Sequence, residues 1–139
     1  MIVCKSSEKI LCTSFCSGKR HDFNLFKNSK VRWVSRIHAI ADSGYLGINR
    51  LQNSSEIPKK RSKKHPLTKS EKQNNRRIAI QRVLNENVIG RIKRFKVLSD
   101  RYRNRRKRFG LRFNLIAAIY NLELEVKNRS NSRSEKMGA

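Results

Sequence analysis

The chain has 139 residues, enough for one domain with a modest hydrophobic core. Its 34 lysines and arginines against 10 aspartates and glutamates give a formal charge of +24. A charge of this size repels itself in a compact fold, so it predicts an anionic partner, either nucleic acid or, as the rival, an anionic membrane surface. No signal-peptide pattern and no apolar run of about 18 residues is found, so we expect a soluble protein without a membrane-spanning segment.

Short strands and helices are predicted for the first part of the chain. "MIVC" and "KILCTSFC" flank the polar "KSSE", which favours a β-hairpin. "HDFNLFKNS" favours a short helix with Asp22 as its N-cap. Residues 37–41 suit a buried strand that ends at Asp42. "YLGINRLQN" is typical of a short helix, and "SEIPKK" of an edge strand, because Pro58 lacks the N–H of a ladder donor.

The cysteines predict no metal site. They are three in number and form no CxxC pair, whereas zinc sites usually have paired ligands at short spacing. We expect reduced thiols in a cytosolic protein at Cys4, Cys12 and Cys16.

Two long helices and most of the charge are predicted for the second part. Residues 59–112 hold 21 lysines and arginines but three acids. Residues 59–73 predict a basic loop, and Thr68 with Glu71 fits a capping box at the start of a helix. A second helix is predicted over 111–126, followed by a disordered basic tail over 126–139. The first helix has a predicted core stripe of Ile80, Leu84, Val88, Ile92 and Phe95, and the second has one of Phe113, Ile116, Ala117, Tyr120 and Leu124.

One acid lies among cations on the polar side of the first long helix. At 100° per residue, Arg82, Glu86 and Lys93 point within about 40° of one another, and Gly90 lies on the same side. This pattern fits an ion pair on a solvated face, worth ~0.3–0.5 kcal/mol. It also fits a metal-binding carboxylate flanked by phosphate-binding cations, with Asp42 at a strand end as a second ligand. The spacing alone leaves both interpretations open.

Four segments together resemble a known family. They are "GKRHDFNLFK", "ADSGYLG", "IPKKRSKKHPLTKSEKQNNR" and the stretch from Arg82 to Leu124 that begins "RVLNENVIGRIKRF". In this order and spacing they resemble the C-terminal part of a DDE transposase of a bacterial insertion sequence. The resemblance covers nearly all of residues 9–125.

The resemblance implies a fold, an activity and site residues. It implies an α/β, RNase H-like fold in which three acids bind two divalent metal ions, Mg²⁺ or Mn²⁺, and in which DNA is cut and joined at the ends of an element. Asp42 matches the second acid and Glu86 the third. Arg82 and Lys93 match the helical Arg-Glu-Lys signature of the family. DNA, as element ends and target, is the implied partner, in the bacterial cytoplasm and associated with the nucleoid.

One part of the family pattern lies outside the quoted segments. The first acid of the family lies on the first strand of its sheet, upstream of the segment that matches "MIVCKSSEKILCTSF". We therefore expect residues 1–125 to form an incomplete RNase H-like fold, with a hairpin, short helices, one central strand, a long catalytic helix and a C-terminal helix but without the first strand. The two-metal site would lack one carboxylate, and the strand that ends at Asp42 would have an unpaired edge.

The basic residues of the second half suit DNA phosphates, which they contact without reading sequence. The candidate DNA-binding residues are Arg82, Lys93, Arg101, Arg103, Arg105, Arg106, Lys107 and Arg108. Trp33, Tyr45, Tyr102 and Phe109 are candidates for base stacking, although each is more often a packing residue.

Three functions stay open at this point. The first is a DDE transposase polypeptide, inactive alone, that works with itself or with an upstream-encoded fragment supplying the first acid. The second is a non-catalytic, basic DNA-binding fragment that competes with an intact transposase. The third, an unrelated RNA-binding or ribosome-associated protein, rests on charge alone.

Overall fold

The computed structural model describes residues 1–16, 21–34, 36–52, 54–63, 66–100 and 108–137, with side chains described as far as residue 131. The chain divides into two compact units. We call Met1–Thr13 with Asn85–Ala139 the hairpin unit, and Ser14–Leu84 the parallel-sheet unit. The single domain expected over residues 1–125 stays a prediction.

The hairpin unit contains the predicted β-hairpin. Strand β1 (Ile2–Val3) pairs with the antiparallel strand β2 (Ile10–Cys12). The register places Ile2 opposite Cys12 and Val3 opposite Ile10, so β2 has one residue more than β1 in the ladder. Glu8 adopts a left-handed conformation in the connecting turn. Cys4, Cys12 and Cys16 form no disulfide in the described residues, in agreement with the predicted thiols.

Helix α4 (Phe109–Met137) provides much of the core of the hairpin unit. Its predicted apolar face is confirmed, because Ile116, Ala117 and Tyr120 are buried while Phe113 and Leu124 are partly buried against them. The helix runs well beyond Val126, through most of the segment expected to be a disordered tail. No proline or glycine interrupts residues 127–137, which favours a continuous helix over this segment.

An asparagine of α4 replaces a strand neighbour at the outer edge of β2. The backbone N–H of Ile10 donates to Asn121 Oδ1 at 2.8 Å, and Asn121 Nδ2 donates to the Ile10 carbonyl at 2.9 Å. Ile10 is buried, so both of its backbone groups would otherwise lack a partner away from water. The Asn121 amide thus fixes β2 against α4.

We expect Asn121→Leu to destabilise the hairpin unit by about 2–4 kcal/mol, because it leaves one buried donor and one buried acceptor unpaired. Urea unfolding measures the loss, and hydrogen exchange of the Ile10 amide reports it locally. The matched control is Asn128→Leu, at an exposed position of the same helix. Equal stability of the two variants would show that the amide contributes nothing.

The parallel-sheet unit contains a strand at each of the two positions predicted for it, although its sheet has only these two strands among the described residues, so neither strand is central. Strand β3 (Ala39–Ile40) pairs in parallel with β4 (Ser55–Glu56), and both are shorter than predicted. Between them the predicted short helix is two 3₁₀ turns, Ser43–Tyr45 and Ile48–Arg50. Gly47 connects these turns at φ 91°, a conformation that side chains with a Cβ rarely adopt.

Helix α1 (Asp22–Ser29) forms where predicted, but its cap is different. His21 has an extended backbone, and its Nδ1 accepts a hydrogen bond from the Phe23 N–H at 3.2 Å. Asp22, predicted as the N-cap, is instead the first residue of the helix. There its negative charge interacts favourably with the helix dipole. The prediction was wrong by one residue because the imidazole supplies the acceptor that was assigned to a carboxylate.

Helix α2 (Lys69–Ile92) begins with the predicted capping box. The Thr68 N–H donates to Glu71 Oε2 at 2.9 Å, and the Glu71 N–H donates to Thr68 Oγ1 at 3.3 Å. The helix ends earlier than the periodicity indicated, and a short helix, α3 (Lys96–Ser99), follows it. In the parallel-sheet unit a second asparagine, Asn75, binds both backbone groups of Lys59, each at 2.9 Å.

The predicted core stripe of α2 is correct in its second half only. Val88 and Ile92 are buried in the hairpin unit, whereas Ile80 is 65% exposed. Ile78, about 160° from Ile80 around the helix axis, is fully buried in its place. The periodicity assumed one buried face over the whole helix, but the first and second halves of α2 belong to different units.

The predicted α/β class is confirmed, and the described residues form small sheets together with helices. Among the described residues, no helix has both the length and the apolar composition that crossing a membrane requires.

Candidate active site

Asp42 lies directly after β3, in the parallel-sheet unit. Its Oδ1 accepts a hydrogen bond from the Ser43 N–H at 2.5 Å, so the carboxylate caps the 3₁₀ turn that follows. The side chain is nevertheless 55% exposed. Strand β3 holds the backbone of this acid in place, because Ala39 and Ala41 donate to Ser54 and Glu56 of the adjoining segment.

Arg82 of α2 is the charged partner of Asp42. Its Nη1 lies 3.2 Å from Asp42 Oδ1, and the Arg82 side chain is more buried than that of Asp42. The sequence predicted Arg82 as a neighbour of Glu86 and as a DNA-binding residue, and did not predict that it binds Asp42.

A hydrogen-bonded cluster around Glu56 fixes β4 to the first half of α2. Asn74 Nδ2 donates to Glu56 Oε1 at 3.0 Å, Arg77 binds the same oxygen, and His38 Nε2 lies 3.1 Å from Oε2. The hydrogen bond from Arg77, followed by that from Asn74, lowers the pKa of Glu56 from 4.5 to about 2. Because β4 pairs with β3, this cluster determines where Asp42 and Arg82 meet. Sequence reasoning missed it, although an acid beside Pro58 in so basic a chain was a weak signal.

The Glu56 cluster predicts acid sensitivity of the parallel-sheet unit. The pKa of Glu56 is lower in the folded state, so its stabilisation is present above pH 4.5 and is lost as the pH falls towards about 2. We expect Glu56→Gln to cost about 1–3 kcal/mol at neutral pH and to flatten this pH dependence. Fluorescence of Trp33, the single tryptophan, reports unfolding of this unit.

A matched variant is Glu123→Gln, which removes a half-exposed ion pair with Arg94 in the hairpin unit. It should leave the Trp33 transition unchanged. Glu71 of the same unit, whose pKa the hydrogen bond from Lys59 lowers, contributes pH dependence that Glu56→Gln retains. An unaltered acid transition in Glu56→Gln would contradict the prediction.

Glu86 and Lys93 belong to the hairpin unit. Both side chains are exposed, and the Lys93 N–H donates to the Ile89 carbonyl at 3.1 Å, so the helical hydrogen-bond pattern reaches Lys93. A Cβ added to Gly90 would meet no described atom within 4 Å, so no close approach within the chain explains this glycine. Glu86 and Asp42 lie in different units, and the metal site that they are predicted to share stays a prediction.

Asp42 and Glu86 fit the chemistry of a magnesium ligand in part. Carboxylate oxygens are donors that Mg²⁺ prefers, and both side chains are exposed. The described contacts of Asp42 both engage Oδ1, so Oδ2 remains available as a ligand atom. Within the described residues, no group of three or more His, Cys, Asp or Glu side chains could hold a metal ion. Glu8, the single acid of residues 1–16, forms an ion pair with Arg91, whose Nη1 lies 2.6 Å from Glu8 Oε2.

The candidate DNA-binding residues fall partly outside the structure. Arg101, Arg103, Arg105, Arg106 and Lys107 lie outside the described residues, while Arg108 is exposed at the start of α4. Other exposed cations of the described chain are Lys60, Arg61, Lys63, Lys72 and Lys96. Many of the acids in the described residues already bind a lysine or arginine, among them Glu8, Asp42, Glu56, Glu71, Glu123 and Glu125.

The aromatic candidates for base stacking pack within their own units. Tyr45 meets Phe23 and Phe26 at ring distances of 6.0 and 6.2 Å, and Trp33 meets Phe26 at 5.7 Å. Burial, together with the charges of Asp22 and Asp42, raises the pKa of Tyr45. Phe109 packs on Phe113, and Tyr102 lies outside the described residues.

Comparison with known proteins gives a family and a relative. The family model of the DDE superfamily endonucleases matches residues 1–121. The chain is 43% identical over 127 residues to a probable transposase for insertion sequence element IS702 from Microchaete diplosiphon. The alignment covers 91% of this chain and 46% of that relative, so the chain spans about half the length of the relative. No solved structure matches. The match over most of its length shows that the chain belongs to the DDE superfamily endonucleases.

Proposed function

We propose that the chain forms part of the catalytic domain of a DDE transposase, which cleaves DNA at the ends of an insertion sequence and joins it to a target. Membership of the DDE superfamily endonucleases carries this proposal, and the likeness to an insertion-sequence transposase supports it. The exposed carboxylate at the end of β3 supports it independently, because the carboxyl ends of strands are where α/β folds bind ligands.

Asp42 and Glu86 are the proposed metal ligands, for Mg²⁺ or Mn²⁺. Bound divalent ions would polarise a phosphate and activate the attacking oxygen. The chain itself contributes positioning. Asp42 is oriented by the Ser43 N–H and by Arg82, and the Glu56 cluster fixes the strand that carries it. Lys93 and the basic residues 101–108 would hold the DNA backbone through its phosphates.

The proposed site needs a third carboxylate from outside these residues. We infer an RNase H-like sheet in which a strand carrying that acid adds to β3. Ala39 and Ala41 donate towards β4, so the backbone groups of Ile40 point to the opposite edge, where the described residues provide no strand. An upstream-encoded transposase segment would supply the strand. The proposed activity acts on DNA in the bacterial cytoplasm, associated with the nucleoid.

A strand-transfer assay tests the proposal. The substrate is plasmid DNA that carries the sequences flanking the reading frame, with Mg²⁺ or Mn²⁺ and with Ca²⁺ as a metal control. We expect no transfer by the 139 residues alone and metal-dependent transfer when a polypeptide with the family's first strand is added. Transfer by the chain alone would overturn the inferred need for a third acid, and no transfer in either case would overturn the catalytic role.

A non-catalytic fragment that binds element ends is the second candidate. The high positive charge of the chain supports it. Two mixing experiments with a related full-length transposase distinguish the catalytic partner from the competing fragment. A catalytic partner restores transfer to a relative that lacks its second and third acids, whereas a competing fragment lowers transfer by an unmodified relative.

A further inference from the structure

The Arg82 guanidinium lies where two different anions compete for it. It forms an ion pair with Asp42, with 3.2 Å between Arg82 Nη1 and Asp42 Oδ1. The same arginine is a candidate contact for DNA phosphates, which a guanidinium binds in the geometry that it also uses for carboxylates. A carboxylate and a phosphate repel each other at one guanidinium, so the ion pair with Asp42 weakens any contact of Arg82 with DNA.

The Asp42 carboxylate is in turn shared between Arg82 and the cation that it is proposed to bind. Metal–oxygen bonds are about 2.1 Å long, so a divalent ion at this carboxylate would lie within roughly 5–6 Å of the guanidinium. Its double charge repels Arg82 about twice as strongly as a single charge at the same distance would. Asp42 is 55% exposed and Arg82 31% exposed, and ion pairs in contact with water are weak. The repulsion is therefore large enough to separate the pair.

We propose that Asp42 restrains Arg82 from contacting DNA, and that Asp42 releases the arginine to a phosphate when it binds a divalent cation. The inference rests on the proposed role of Asp42 as a metal ligand. It makes cation binding and DNA binding cooperative through one side chain. By linkage, each should strengthen the other by the same factor.

The release requires the movement of one side chain only. The Asp42 carboxylate is also held by the Ser43 N–H at 2.5 Å, a contact that does not involve Arg82. The helix that carries Arg82 is anchored to β4 through Glu56, which binds both Asn74 and Arg77. The backbones of α2 and β3 can therefore keep their positions while the guanidinium changes its partner.

DNA binding without metal tests whether Asp42 restrains Arg82. The full chain is titrated onto a fluorescent duplex in EDTA, at about 0.1 M salt and in a salt series. We expect Asp42→Asn to bind about three- to tenfold more tightly and to steepen the salt dependence by about 0.9, because it gains one phosphate contact. The matched control is Asp22→Asn, the same change of charge in the same unit, which should leave the slope unchanged. Combining Asp42→Asn with Arg82→Gln should abolish the gain.

Addition of Mg²⁺ tests the release. Mg²⁺ also competes with any basic protein for DNA phosphates, so the natural chain is compared with Arg82→Gln at equal Mg²⁺ and constant ionic strength. The ratio of their DNA affinities should rise about three- to tenfold as Mg²⁺ is added, since one phosphate contact is gained. The same ratio measured in the Asp42→Asn background should not change with Mg²⁺. A constant ratio in the natural chain, or an equal rise in both backgrounds, overturns the proposal.

Nuclear magnetic resonance of the natural chain gives a measurement that depends on no variant. Mg²⁺ without DNA should shift the Arg82 Nε–H resonance and speed its hydrogen exchange, whereas K⁺ at the same ionic strength should do neither. An Arg82 resonance that Mg²⁺ leaves unchanged contradicts the release. These outcomes are separate from strand transfer. Coupling without complemented transfer would sustain this inference and refute the catalytic function, and transfer without coupling would do the reverse.

Discussion

Replacing Glu86 by glutamine, or Asp42 by asparagine, should lower complemented strand transfer by at least about 10²–10³-fold, since metal-bound charge contributes several kcal/mol to the transition state. Both changes keep the size of the side chain but remove the negative charge that a divalent ion requires. The stability of the chain should change little, because both side chains are exposed and the asparagine amide would keep an oxygen for the Ser43 N–H. The measurement is the rate of strand transfer with the first strand supplied in trans.

Two exposed acids serve as matched controls for this experiment. Asp22 begins α1, and Asp100 follows α3, so neither is a proposed ligand. Asp22→Asn and Asp100→Asn should retain most of the activity. Full activity in Glu86→Gln would exclude Glu86 as a metal ligand. The arrangement of Arg82, Glu86 and Lys93 on α2 would then be interpreted as an ordinary ion pair on a solvated helix.

DNA binding should weaken by about 10³–10⁵-fold between about 50 and 200 mM salt, if the chain contacts some 6–10 phosphates. The cause is the release of counterions from the DNA, which is less favourable when the bulk salt is high. Fluorescence anisotropy with labelled duplexes of unrelated sequence measures this slope. The slopes should be similar for all duplexes, because phosphate contacts carry no sequence information.

A charge-matched pair of variants locates the binding surface. The first replaces five arginines by glutamine: Arg101, Arg103, Arg105, Arg106 and Arg108. The second does the same to five cations of the first half: Lys5, Lys30, Arg32, Arg36 and Arg50. We expect the first variant to flatten the salt dependence by about 0.9 per lost phosphate contact and the second to change it little. Equal losses would indicate that net charge, rather than the segment 101–108, governs binding.

Local sequence patterns predicted the local elements correctly. The hairpin, helix α1 and the capping box of α2 each depend on residues a few positions apart, and the structure contains all of them. Asp42 could be placed at a strand end for the same reason. The cap of α1 was wrong because histidine, a less common acceptor, took the place of the adjacent aspartate.

The contacts that assemble these elements could not be read from the chain. Asn121 and Ile10 are 111 residues apart, and Glu56 binds Arg77 from 21 residues away. Such pairs follow from tertiary packing, which periodicity does not encode. Tertiary packing also explains why Ile78 is buried although Ile80 was predicted to be. The buried face of α2 depends on the unit to which each half of the helix belongs. For Glu86, the sequence spacing predicts which residues are its neighbours on the helix. It does not predict whether Asp42 lies near it.

Asn121 and Asn75 each block one edge at which a further strand could pair with a sheet. Asn121 occupies the outer ladder groups at Ile10, and Asn75 occupies those of Lys59 just beyond β4. At these positions an amide stands where another chain would otherwise join, so β2 and the end of β4 are shielded against unspecific recruitment of strands. An additional strand could still pair with β1 or with β3. When a longer polypeptide that contains these residues folds, each two-stranded sheet would therefore offer one edge for strand pairing. This restriction reduces the number of incorrect strand pairings.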